Sequence, residues 1–136
     1  MKNFNARAKC IGDLYDTLPV EGTQMQEGAL VLGEAIADLG GATIALWAFE
    51  RAQAGKPHTK IQGFSPELRF FLAYATVWAE NNRPEAARVQ ANSDVHALGR
   101  KRVTGTLLNM PQVATAWYCP LRAKMVRPAS QRCQVW

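Results

Sequence analysis

Gly28 to Phe49 reads GALVLGEAIADLGGATIALWAF, and this stretch decides the architecture. Its only charged residues are Glu34 and Asp38; the rest is Leu, Val, Ile, Ala, Gly, Thr, Trp and Phe. The length and apolarity suit a membrane span. Against that, two acids near the middle would cost roughly 2.5–3.5 kcal/mol each on insertion, and four glycines weaken the span further. The better reading is a buried helix of a soluble protein, from about residue 33 to residue 53. Gly40 and Gly41 fall inside it, each costing up to about 1 kcal/mol relative to alanine while permitting close approach of another backbone.

Glu34 and Asp38 are four residues apart, so both carboxylates share one helix face. On an amphipathic helix they would be an ordinary polar stripe, mildly destabilised by like charge. Here almost nothing else on the helix is polar. A carboxylate in such surroundings needs hydrogen bonds, a cation or a metal, which makes the pair a candidate site.

Outward from this helix, residues 11–27 hold Gly12, Asp13, Asp16, Pro19 and Gly22 and read as loop with short extended pieces. Residues 54–65 are a loop. Ser65-Pro66 then reads as an N-cap followed by proline at the first helical position, opening a helix to about Ala79. Leu68, Phe71, Leu72, Ala75 and Trp78 line one face of it. A short helix is expected from Pro84 to about Gln90 and another from Gln112 to Tyr118. Residues 91–106, polar, basic and glycine-containing, read as loop or short strand. The apolar end, Val135-Trp136, is expected to be tucked in.

The 136 residues are 48% apolar, enough for one domain or a substantial piece of a larger one. The net charge of +5 is spread over the chain, densest at Arg100, Lys101 and Arg102. Without zinc-finger spacing or an aromatic-interleaved RNA motif, it reads as a solvated basic face rather than a nucleic-acid footprint. MKNFNARAKC at the start has no apolar signal region. Cys10, Cys119 and Cys133 are too far apart for a zinc ribbon or a redox pair. Three reduced thiols, or one disulfide plus a cysteine with its partner elsewhere, both fit.

His96, in Asp94-Val95-His96, is the other candidate for chemistry; His58 has no assigned role. Catalytic zinc takes three protein ligands plus water, and no H-E-x-x-H occurs in the chain. No phosphate loop, dinucleotide fingerprint or nucleophile elbow is present.

Four segments carry a resemblance. Gly33-Glu34-Ala35-Ile36-Ala37-Asp38-Leu39-Gly40-Gly41 resembles the GENIADxGG signature of the neprilysin and endothelin-converting-enzyme family. Arg69 to Trp78, RFFLAYATVW, is similar to its RFFLAYAQVW. Asp94-Val95-His96 with Arg102-Val103-Thr104-Gly105-Thr106-Leu107 matches its D-x-H…FRVxGxLxN, and Gln131 to Trp136 resembles its terminal K-R-C-R-V-W. The order holds from about Cys10 to the last residue.

The resemblance implies a mainly α fold, the C-terminal portion of a thermolysin-like (zincin) catalytic domain with irregular loops, over residues 1–136. It implies zinc-assisted hydrolysis of peptide bonds in oligopeptide substrates. Glu34 would be the third zinc ligand. Asp38 would orient a zinc-binding histidine. His96 would donate to the oxyanion, a contact worth roughly 3–4 kcal/mol in the barrier. Arg102 would hold a substrate carbonyl, and Val77 and Trp78 would line the apolar pocket after the scissile bond. Cys10 would pair with Cys133, and Cys119 with a cysteine outside the chain, pointing to an oxidising compartment.

The H-E-x-x-H helix, with two histidine ligands and the general base, is expected upstream of Met1. The missing upstream part is therefore the expected partner, and one zinc ion the cofactor of the complete protein, which this chain alone would hold weakly. The parent protein would be extracellular, periplasmic or membrane-anchored, with any membrane anchor outside this chain. The family pattern is broken at three positions: Ala35 stands for the usual asparagine, Leu98 for a proline, and Lys101 for an aromatic. The alternative under the same resemblance is a non-catalytic peptide-binding or regulatory remnant of that fold.

Overall fold

The computed structural model describes residues 2–135, so Trp136, expected to be tucked in, lies outside the described residues. The protein is mainly helical. Helix α1 spans Lys2–Tyr15, a hairpin of β1 (Pro19–Glu21) and β2 (Gln24–Met25) follows, and α2 spans Gly28–Gln53. Then come α3 (Pro66–Val77), α4 (Pro84–Ser93), α5 (Gly99–Leu107), α6 (Pro111–Ala116) and a 3-10 turn at Ala129–Gln131.

Residues 11–15, expected as loop, are the last turn of α1. Ala8, Ile11, Leu14 and Tyr15 are buried there. That is helical spacing, and the tertiary contacts outweigh the helix-weakening Gly12. Gly12 and Gly28 let α1 and α2 meet backbone to backbone: a Cβ on Gly28 would overlap the Gly12 carbonyl. Helix α2 starts five residues before the expected Gly33. The physical reason is a cap from outside the helix: Asp16 Oδ1 accepts the Gly28 N–H at 2.6 Å, satisfying one of the unpaired amides at a helix start.

Helix α3 opens as its Ser65-Pro66 pair dictates, with Ser65 Oγ accepting from the Leu68 amide at 3.2 Å. It stops at Val77 rather than Ala79. Of its expected apolar face, Phe71 is buried and Leu72 is not. Helix α4 runs to Ser93 rather than Gln90, and α6 covers Pro111–Ala116 rather than Gln112 to Tyr118.

The largest correction is residues 91–106: they hold the end of α4 and most of α5, not loop or strand. Glycines at 99 and 105 and three consecutive cations argue against a helix in isolation. Packing overrides this, because Gly105 sits against the Tyr15 ring and Gly99 against the Trp78 carbonyl, where no side chain would fit.

The core lies where α1, the inner face of α2 and α5 meet, closed by Leu108, Met110, Val113, Cys133 and Val135. A disulfide joins Cys10 on α1 to Cys133 near the end of the chain. A smaller cluster of Val20, Ala87, Ala91 and Leu98 holds α4 to the hairpin. By length and composition alone α2 could cross a membrane. Its outer face is bare: Ala29, Gly33, Ala37, Gly41 and Ala45, each four residues from the next, are exposed, as are Ile44 and Trp47.

Candidate active site

Asp38 projects from the middle of α2 and is almost enclosed, with 7% of its side chain exposed. Arg102, on α5, meets it edge-on: Nε donates to Oδ2 and Nη2 to Oδ1, both at 2.7 Å. A two-pronged contact of this kind is the strongest form of carboxylate recognition by arginine. The hydrogen bonds to Asp38, ahead of the charges of Asp38 and Glu34, hold the guanidinium above the ordinary arginine range. The guanidinium lies 3.8 Å from the centre of the Trp78 ring, stacked on it, a cation–π contact that also shields the ion pair from water.

Glu34, one turn earlier on α2, is left differently. Its carboxylate is 41% exposed, with Oε2 at 3.5 Å from Arg102 Nη2 and 3.3 Å from His96 Nε2. His96 is held from behind by Asp94, whose Oδ1 accepts from the His96 backbone N–H at 2.8 Å and lies 2.9 Å from Nδ1. The backbone contact first, then the ring contact, keeps the Asp94 carboxyl below its usual range. An Nδ1 proton on Asp94 leaves Nε2 as the nitrogen that faces the cleft. Gln90 Nε2 donates to the His96 carbonyl at 3.2 Å, fastening the loop to α4.

The structure thus brings Glu34, Asp38, His96 and Arg102 into one cleft, from α2, the α4–α5 loop and α5. Val77 is 73% exposed. It lines a groove of about 380 Å³ between α2 and α3, with Ala37, Gly41, Ala45, Phe70 and Tyr74 among the other walls. Trp78 is not among that groove's lining residues; its indole lies under Arg102. Lys101, one of the departures from the family pattern, is enclosed, and burial pushes its ammonium below the ordinary lysine range. Cys119 is unpaired among the described residues.

Sequence reasoning missed the groups that back this cleft. Tyr15 and Tyr74 stand behind the ion pair, and burial pushes both phenols up, with Asp38's charge adding to the effect. Asp94 lies inside the D-x-H motif, so its spacing to His96 was the available signal. Glu80 carried none.

As a metal centre the arrangement is partial. Among the described residues no three His, Cys, Asp or Glu side chains gather as a ligand set. Glu34 offers a carboxylate oxygen on the open side of the cleft, which suits one zinc ligand of three.

The sequence model of Peptidase family M13 matches residues 1–135. An endothelin-converting enzyme homolog of Locusta migratoria is 36% identical over 98% of this chain and 18% of its own length. Membrane metallo-endopeptidase-like 1 of Mus musculus is 34% identical over 99% of this chain and 18% of its own. Among solved structures, the Mycobacterium tuberculosis zinc metalloprotease ZMP1 in complex with inhibitor superposes with a TM-score of 0.89 at 27% identity. That match covers 99% of this chain and 22% of the protease. The chain spans about a fifth of the length of these relatives. A family match along nearly its whole length, with a fold shared at that TM-score, places the chain in Peptidase family M13.

Proposed function

We propose that residues 1–136 are the C-terminal part of a zinc metalloendopeptidase catalytic domain, and that they supply its third zinc ligand, its oxyanion donor and its substrate-binding arginine. The observation that carries this is the unequal treatment of two acids on one apolar helix. Asp38 is sealed and satisfied by Arg102, whereas Glu34 keeps an oxygen facing the open cleft beside His96. A carboxylate left this way on a greasy helix suits a cation from elsewhere.

The chemistry zinc supplies when bound is polarisation of the scissile carbonyl and activation of water. Glu34 would hold the ion. Asp38 would orient a histidine ligand from outside these residues while keeping Arg102 in place. Arg102, with 12% of its side chain exposed, presents the remaining guanidinium N–H groups to a peptide carbonyl. His96, with a proton on each ring nitrogen and its Nδ1–H held by Asp94, would donate from Nε2 to the oxyanion. Val77, on the groove wall, would contact the side chain after the scissile bond. The bare outer face of α2 supports the same reading. Small residues every fourth position let a second helix approach closely, and a Cβ on Gly33 or Gly41 would meet nothing within 4 Å. The upstream part of the protein, bearing H-E-x-x-H, is the proposed occupant of that face.

The test joins this chain to the upstream four-fifths of a family relative and measures zinc content and hydrolysis of an oligopeptide. We expect one zinc ion per molecule and activity, zinc lost in Glu34→Ala, and kcat lowered roughly 10²–10³-fold in His96→Ala. The 136-residue chain alone is expected to be inactive. Retention of full zinc content in Glu34→Ala would refute the ligand assignment. Zinc-independent peptide binding without hydrolysis would instead favour a non-catalytic remnant.

A further inference from the structure

Helix α5 begins without a cap of its own. Leu98 occupies the N-cap position and offers no side-chain acceptor, so the first amides of the helix need partners from elsewhere. One comes from the segment after α3: Glu80 Oε1 accepts the Gly99 N–H at 2.6 Å. Gly99 also presses against the Trp78 carbonyl so closely that a Cβ there would overlap it. Two residues before Glu80 is the indole on which Arg102 stacks, and three residues after Gly99 is Arg102 itself. Contacts at 78, 80, 99 and 102 therefore form one short closed circuit between the end of α3 and the first turn of α5.

We propose that Glu80 is a positioning residue for Arg102. By capping α5 it fixes that helix against Trp78, so that the guanidinium lies flat on the indole and its Nε and Nη2 point at Asp38. The proposal rests on the reading of Arg102 as the substrate-binding arginine. The physical step is a lever. Without the clip the first turn of α5 frays, as an uncapped helix end does. Arg102 sits in that turn, and its N–H is bonded to the Leu98 carbonyl at 3.0 Å. Fraying tilts the side chain off the ring before it breaks the ion pair. A carboxylate is well suited to the role, because the partial positive charge of a helix N-terminus favours an anion.

The experiment uses NMR on the 136-residue chain, reading the Gly99 amide, the Arg102 Nε–H and the Trp78 indole N–H. In Glu80→Ala we expect Gly99 and Arg102 Nε–H to exchange roughly fivefold faster, the size of a lost helix cap, and the Trp78 indole resonance to move. Glu80→Gln keeps an oxygen acceptor and should restore Arg102 Nε–H to within about twofold of the parent. Ser65→Ala removes the cap of α3, a comparable loss at the far end of the same helix, and should leave all three signals in place. The proposal is overturned if Glu80→Ala speeds Gly99 but leaves Arg102 Nε–H and Trp78 unchanged, or if Ser65→Ala moves them equally. None of these readouts involves zinc or peptide. In the assembled enzyme, an Arg102→Lys variant with an unchanged KM would sink the substrate-binding reading and leave the Glu80 circuit standing.

Discussion

On the inner face of α2, Val31, Ala35, Leu39 and Leu46 are enclosed, and the one acid there, Asp38, has both oxygens satisfied. On the outer face, Ala29, Gly33, Ala37, Gly41 and Ala45 are exposed, and Glu34 sits at the border with one oxygen facing the cleft. On the proposed reading, the same twenty-six-residue helix is finished on one side and unfinished on the other. The inner side obeys the ordinary rule that buried charge must be paired. The outer side, part of which borders the groove with α3, has the small residues of a close helix contact, and on the proposed reading the upstream part of the protein packs there.

Three measurements test that contrast. The largest effect is expected on the finished side. Asp38→Ala strands a nearly enclosed guanidinium, and denaturant unfolding should show a loss of about 3–5 kcal/mol; a loss under about 1 kcal/mol would mean that the pair is solvated after all. An intermediate effect should come from pH. Tyr15 is held above its ordinary value of 10.0 by burial and then by Asp38's charge, and Tyr74 is raised too. A phenol raised on folding contributes stability that is fully present below the unfolded value and is lost as pH rises through the folded one. Stability should thus fall steeply above about pH 10, and Tyr15→Phe should flatten that fall in a pH series of denaturation midpoints. The smallest effect is expected on the unfinished side. Gly41→Ala meets nothing within 4 Å and should stabilise the isolated chain by up to about 1 kcal/mol. The same change should weaken zinc loading of the assembled enzyme. Equal behaviour in both settings would mean that nothing docks there.

How much of this was legible follows from where the interactions lie. Helix α3 was announced by Ser65 and Pro66, because its cap is local. The candidate character of Glu34 and Asp38 could be read because two acids four residues apart on an apolar helix are costly wherever they fall. The early start of α2 was not legible: its cap is Asp16, twelve residues upstream, and nothing in the local sequence marks a carboxylate as aimed at Gly28. Helix α5 was hidden for the same reason. Its glycines at 99 and 105 read as breakers, yet they are the spaces into which the Trp78 carbonyl and the Tyr15 ring fit. The Trp78 indole was expected to line a pocket, and periodicity could not show that a guanidinium would lie over it.

The bond between Cys10 and Cys133 spans 123 positions in sequence and turns nearly all of the chain into a covalent ring. A protease that cuts once in an exposed connection, such as residues 54–64, would open the ring without dividing it. Both pieces would stay tethered through sulfur, and α2 would keep its hold on α5 through the core. For this molecule a single nick is a change of topology rather than a loss of mass, and separation into parts waits on a reductant.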